Sequence, residues 1–290
     1  MPASVFIAGP ASWNTIVVLD RLPEPVPHMQ FAEETWETVG GTSAGKALSL
    51  TALGRAVDLY ALAGSDAAGE RVRAALQAGG VPVRWGEGAT ERHLNLMTRD
   101  GARVSLYLST PTATAGEDDA WVRDRMREAG AVVLDLAAEP LRLLPMARET
   151  GVPIWVDVHD YDGETEFHRP FLAAADAVFC NADRLPDPVA FLRARIAAGA
   201  SLAVCTLGAE GAVAVDAEGV EHRVAAAPVE VIDTNGAGDA FLAGVLDARL
   251  DGAEVAVALE AGARTAASVL RSRHLHPLID GVLDAGSAAS

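Results

Sequence analysis

Asp239 follows Gly236, Ala237 and Gly238 in the stretch VIDTNGAGDAFLAGVL, residues 231–246, where an apolar extended segment meets a helix-patterned run reaching about Leu250. The first N–H groups of a helix have no intrahelical partner and carry a partial positive charge, so the backbone of residues 236–239 can hold an anion unless side chains cover it. Two glycines and an alanine leave it open. A carboxylate in the first turn can then take a proton from a hydroxyl that attacks the bound anion. An ordinary helix start with an acidic first turn has the same residues, and the motif alone does not choose between the two.

Three further stretches invite chemistry. TLGAEG, residues 206–211, follows an apolar run with a glycine-containing turn at Gly208 and Gly211, which suits backbone approach to a nucleotide or a plain strand-to-turn connection. GGTSAGKA, residues 40–47, nearly fits a phosphate loop, with Gly40, Gly45 and Lys46 in register and VVLD ending at Asp135 as a second acidic motif. Its next residue is Ala47, so the hydroxyl that would bind Mg²⁺ in such a loop is missing. In RHLNLM, residues 92–97, His93, Asn95 and Met97 share one strand face, which can meet a ligand. His274 and His276 have a possible metal spacing, although such a pair is more often solvent-facing; His159 and Asp160 border a strand's carboxyl end.

These residues need a frame. Short apolar runs at 4–9, 57–64, 131–137, 153–158, 177–181 and 202–208 alternate with amphipathic stretches such as 41–54, 67–80 and 141–151. That rhythm predicts an α/β fold with a mostly parallel central sheet sandwiched by helices, in one domain over residues 1–290. Ligands in such folds bind outside the carboxyl ends of the strands. Two insertions, at about 14–40 and 91–109, lack partner helices; the second turns at Asp100-Gly101. Together they predict a small β-sheet lid. Trp13, Phe31 and Trp36 come with it, either to meet a ligand or to pack the lid down. The segment 118–128 reads as a solvated amphipathic helix, and the tail 284–290 as frayed.

Composition narrows the partners. With 23 Lys and Arg against 40 Asp and Glu, the net charge of −17 disfavours nucleic acid and offers no basic face to a membrane. No apolar run approaches a bilayer span, and the chain starts without a basic leader, so a soluble cytoplasmic protein is expected. Cys180 and Cys205, without CxxC or His-paired spacing, read as core thiols, and no metal site is expected from them.

DTNGAGDAF resembles the signature of ribokinase-like (PfkB-type) carbohydrate and nucleoside kinases, Asp-Thr-x-Gly-Ala-Gly-Asp. Gly9, the double glycine 40–41, GSDAAG at 64–69, Asp157, FCNADR at 179–184 and TLGAEGA at 206–212 follow in the family's order. The resemblance implies the α/β sandwich with its β lid. It also implies a catalytic base at Asp239, an anion hole at Gly236, Ala237 and Gly238, and ATP with Mg²⁺ as donor. Thr206, Gly208 and Gly211, with Asn181 and Arg184, fall in the implied ATP site. Asn14, Gly40, Gly41 and Gly45 fall in the acceptor site, which His93 and Asn95 face from the lid. Three positions depart from the family: Asn14 stands for an Asp that grips two acceptor hydroxyls, Gly45 for an Asn, and Arg184 for the Glu of an Asn-x-x-Glu.

The expectation is therefore an ATP-dependent kinase phosphorylating a hydroxyl of a small sugar or nucleoside. The alternative is a catalytically weak homologue that binds a ligand or regulates. A monovalent cation requirement stays open, and a homodimer through the lid is the preferred assembly.

Overall fold

A computed structural model describes residues 3–99 and 101–287. Its large sheet has nine strands, in the order β13-β12-β11-β10-β9-β8-β1-β4-β5. These are β1 (Val5–Ala8), β4 (Val57–Leu62), β5 (Val83–Gly86), β8 (Ala131–Leu134), β9 (Ile154–Asp157), β10 (Ala177–Asn181), β11 (Leu202–Thr206), β12 (Ala212–Asp216) and β13 (Glu221–Val224). From β5 to β11 every neighbouring pair is parallel, and β12 and β13 extend the sheet antiparallel. The six apolar runs read from the sequence are β1, β4, β8, β9, β10 and β11. The edge strands β5 and β13, and β12 beside β13, are additions to that reading.

Both faces of the sheet are covered because successive side chains of a strand point to opposite sides. Val5 and Ile7 of β1 join Leu48, Val72, Leu242 and Leu259 from helices 42–52, 67–78, 237–250 and 255–269. Phe6 and Ala8 face the other way and pack with Val122, Leu143, Phe171 and Leu192 from helices 119–128, 138–150, 169–174 and 188–197. Cys180 and Cys205 sit opposite one another on β10 and β11, both buried and free.

The small sheet runs β3-β2-β6-β7, from β2 (Ser12–Leu19), β3 (Glu34–Gly40), β6 (Glu91–Thr98) and β7 (Arg103–Ser109). Strands β2 and β6 are parallel, with Asn14 beside His93 and Ile16 beside Asn95. Alternation puts His93 and Asn95 on the buried face, as the spacing predicts, with Glu91 beside them, while Met97, expected on the same face, is only half-buried. Strand β7 is the free edge, exposed along almost its whole length. Asp100, half of the expected turn, lies outside the described residues, whereas Gly101 closes the turn by donating to the Thr98 carbonyl at 3.0 Å. Of the lid aromatics, Trp13 is buried in the core with the Arg71 guanidinium 5.4 Å from its ring centroid, and Arg273 lies 4.7 Å over Trp36. These two pack the lid down, whereas Phe31 is exposed. The segment expected to fray begins as a helix, Asp280–Ser287; residues 288–290 lie outside the described residues.

Candidate active site

The helix Ala237–Leu250 begins at Gly236, which caps it in the left-handed conformation at φ 78°. A cap of that shape suits glycine and turns the chain so that the first amides face outward. Ala237 donates to the Thr234 carbonyl at 3.3 Å, while the N–H groups of Gly238 and Asp239 meet no acceptor among the described residues. The space where a side chain on Gly238 would stand is open to 4 Å. Gly238 lines a cleft with Asp157, His159, Phe179, Cys180, Asn181 and Thr206. Asn181 and Thr206 are register partners at the carboxyl ends of β10 and β11, so the sheet itself brings them together. Helix amides and strand ends thus converge on one opening, where the fold is expected to bind ligands.

Asp239 lies in the first turn, 8% exposed. Its Oδ1 accepts a hydrogen bond from Lys46 Nζ at 2.7 Å, and the same ammonium lies 2.9 Å from Asp135 Oδ1 and 3.4 Å from Asp157 Oδ2. Three carboxylates from three elements therefore share one buried cation. Burial raises the Asp239 carboxyl to about pH 6; Lys46 and His159 pull it down, and Asp135 and Asp157 push it up again. Lys46 itself is drawn down by burial, but the three carboxylates more than reverse this and hold it charged. Oδ2 of Asp239 accepts no hydrogen bond from the described residues, yet it is not sealed from solvent.

Gly45 explains how the carboxylate fits. A Cβ built there would lie 2.8 Å from Asp239 Oδ2 and 3.0 Å from Asp239 Cβ. The glycine that departs from the family pattern thus leaves room for Asp239. Gly40 plays a similar part for Asn14, whose Nδ2 would be 2.0 Å from an added Cβ, and Gly41, at φ 93°, passes against the Pro10 carbonyl. Asn14 Oδ1 accepts from Ser12 Oγ at 2.8 Å, and its neighbour His93 bonds Glu91 Oε1 at 2.9 Å and packs against Tyr107 with ring centroids 4.0 Å apart and planes tilted by 48°. Asn95 keeps a buried Oδ1 with no partner. The lid face reaches the catalytic turn directly, because Asn235 Nδ2 contacts Met97 Sδ at 3.6 Å and Arg103 donates to Asn235 Oδ1 at 3.1 Å.

Other expected residues are placed less centrally. Arg184 is exposed and pairs with Asp162 at 3.5 Å, away from the carboxylate cluster. Gly208 and Gly211 form the turn after β11; a Cβ on Gly211 would strike the Val224 carbonyl at 1.9 Å, so β13 crosses there closely. His274 and His276 are buried, not solvent-facing: His274 meets Thr38 Oγ1 and Asp284, and His276 accepts from the Leu278 amide. The phosphate-loop alternative for residues 40–47 fails on geometry, since Lys46 is fully buried among carboxylates and offers no charge to a phosphate. Lys46 is the residue that sequence reasoning passed over. Its one signal was the pairing of that decoy with Asp135, and the two do meet, though for a different purpose.

Mg²⁺ has a limited protein donor set here. Among the described residues no group of three or more His, Cys, Asp or Glu side chains is arranged to hold a metal ion. That suits an ion carried on nucleotide phosphates and reached by one or two protein oxygens; Asp157, Asn181 and Thr206 bring oxygens to the cleft, of which Asn181 Oδ1 accepts from the Asp183 amide at 3.1 Å.

The profile of the pfkB family of carbohydrate kinases matches residues 13–277. The chain belongs to that family. The kinase is 32% identical over 269 residues to an acarbose 7(IV)-phosphotransferase of Actinoplanes sp. (strain ATCC 31044 / CBS 674.73 / SE50/110), covering 89% of each chain. It is 28% identical over 268 residues, 88% of each, to an ATP-dependent ribose-1-phosphate kinase of Halopiger xanaduensis. Among solved structures, a microbiome-derived acarbose kinase superposes with a TM-score of 0.81 at 29% identity, over 98% of this chain and all of the other. Family and relatives alike make the chain a sugar kinase, a transferase acting on an alcohol group. Among the described residues, no helix is long and apolar enough to cross a membrane.

Proposed function

We propose that the kinase transfers the γ-phosphoryl group of ATP to a hydroxyl of a small sugar or sugar-like alcohol, with Asp239 as the base. One observation carries this reading: unpartnered amides at Gly238 and Asp239, and a carboxylate with an open oxygen, stand at one helix start beside Asn181 and Thr206. Phosphoryl transfer is largely positioning and charge stabilisation, and this arrangement offers both. The acceptor oxygen attacks the γ-phosphorus as its proton passes to Asp239 Oδ2. The bond from that phosphorus to the bridging oxygen breaks, and ADP leaves with the electron pair. Charge on the transferring group is met by the amides of the 236–239 turn. Mg²⁺, when bound, would supply positive charge to the phosphate oxygens, with Asn181 and Asp157 at the cleft to reach it. Asn14, His93 and Asn95, on the lid's buried face, orient the acceptor, and the lid excludes water.

A sugar is favoured over a nucleoside because two curated relatives that align along most of the chain are named for acarbose and ribose-1-phosphate. The reading includes a homodimer paired through the free edge of β7, where Val104, Leu106, Tyr107 and Leu108 are exposed.

ADP release with Mg-ATP across pentoses, hexoses, amino- and pseudo-oligosaccharides and nucleosides tests it. Acceptor-dependent turnover should fall by about 10²–10⁴-fold in Asp239→Asn. Turnover indifferent to that substitution removes Asp239 as base. Acceptor binding without turnover in the wild type moves the weight to a ligand-binding or regulatory role.

A further inference from the structure

The ammonium of Lys46 has no solvent exposure and three carboxylates around it, yet it belongs to no part of the mechanism just described. A structural ion pair needs one partner. Here the helix 42–52 delivers the charge to the ends of β8 and β9 and to the first turn of helix 237–250 at once, with Asp239 the nearest partner at 2.7 Å. Ser43, one turn earlier, donates to Asp135 Oδ2 at 2.6 Å and fixes that carboxylate's other oxygen. Oδ1 of Asp239 is thereby occupied, and Oδ2 is left over Gly45, where the absent Cβ gives it space.

We propose that Lys46 is a positioning residue for phosphoryl transfer, whose buried ammonium holds Oδ1 of Asp239, keeps that carboxylate ionised against Asp135 and Asp157, and leaves Oδ2 to receive the acceptor's proton. This rests on the reading of Asp239 as base. The groups facing Asp239 are Lys46 from helix 42–52, Asp135 beyond β8, and Asp157 and His159 at the end of β9. Two of these are cationic or can become so, and two are anionic. With burial already lifting the carboxyl to about 6, loss of Lys46 leaves the two anions dominant at neutral pH. The base would then be largely protonated and unable to accept.

The test compares wild type, Lys46→Met and Asp135→Asn by two readouts. The first needs no acceptor: the Asp239 carboxyl is titrated by ¹³C NMR in aspartate-labelled protein, assigned with Asp239→Asn. Lys46→Met should move that titration up by about one unit or more, the effect of removing an opposite charge in contact. Asp135→Asn should move it down, because one repelling carboxylate is gone and the ammonium is shared by fewer partners. The second readout is kcat/KM against pH, in which the acid limb should follow the same two shifts while KM for ATP stays within about twofold, since Lys46 does not reach the nucleotide cleft. Unfolding of Lys46→Met leaves Asp135→Asn to decide by its opposite direction. An Asp239 titration that is unchanged in the folded variants, or a uniform loss of kcat with the acid limb in place, overturns the proposal. Shifts in the NMR titration without turnover of any acceptor in the wild type would overturn the kinase mechanism instead, and leave Lys46 as the group that sets Asp239's charge.

Discussion

Lys46 tolerates complete burial because three carboxylates lie within 3.4 Å of its ammonium, with Asp239 Oδ1 accepting its hydrogen bond, and such a centre is strongly destabilised when one partner is removed. The same arithmetic of charge governs Asp239. A carboxyl at about 6 is poised to be ionised at neutral pH yet still basic enough to take a proton, so kcat/KM should decline as pH falls through about 6 and the base becomes protonated. Gly45 tests the geometry without touching a charge. Gly45→Ala puts a methyl 2.8 Å from Oδ2, and Asp239 must shift. Its kcat is expected to drop at least tenfold, with a far smaller change in thermal midpoint, because sub-ångström misplacement of a base is felt more in catalysis than in packing. An unchanged kcat would mean that Oδ2 has room to spare.

At the scale of elements, the lid and the catalytic turn are linked through one side chain. Asn235 lies between Thr234 and Gly236, at the start of the helix that carries Asp239, and touches Met97 on β6 and Arg103 on β7. Asn235→Ala removes both contacts while leaving the turn's own backbone bond from Ala237 to Thr234 in place. The acceptor KM should rise several-fold, with kcat and KM for ATP altered less, because the residues proposed to orient the acceptor, Asn14, His93 and Asn95, lie on the small sheet. Steady-state kinetics in both substrates checks this; a change confined to ATP would place the nucleotide under the lid.

At the scale of the whole molecule, two buried groups make stability depend on pH in opposite directions, and His276 is the one that loses it in acid. Burial holds it at about 4, below the ordinary 6.5, so it folds neutral and caps the Leu278 amide through its ring nitrogen. A group depressed on folding contributes stability that is full above its unfolded value and is lost as pH falls from about 6.5 through 4. Asp157, also held low despite its burial, acts in the same direction at lower pH. Asp239, raised to about 6, works the other way, since the folded state gains by its protonation as pH falls from about 6 towards 4, so the His276 contribution is read by difference: His276→Asn should lose less thermal midpoint, or gain more, between pH 7 and pH 4 than the wild type.

Much of this was legible in the chain. The parallel sheet shows itself in runs such as AVVLDL and LAVCTL, because a strand buried on both faces must be apolar on both. The helix start at Gly236 and the face shared by His93 and Asn95 are equally local, fixed by backbone conformation and by the two-residue period of a strand. The short edge strands β5 and β13 were not legible, since a few residues with one open side carry little pattern, and β12, buried between β13 and β11, was missed because it follows β11 across a turn of a few residues. Nor was the fate of Lys46. Sequence offered a glycine-rich loop ending in lysine, a form shared with phosphate-binding loops, and only the packing of helix 42–52 on helix 237–250 turned that lysine inward to three aspartates 89, 111 and 193 positions away. Residue type and local period are set by neighbours in the chain, whereas the charge a buried carboxyl feels is set by whatever the fold brings beside it.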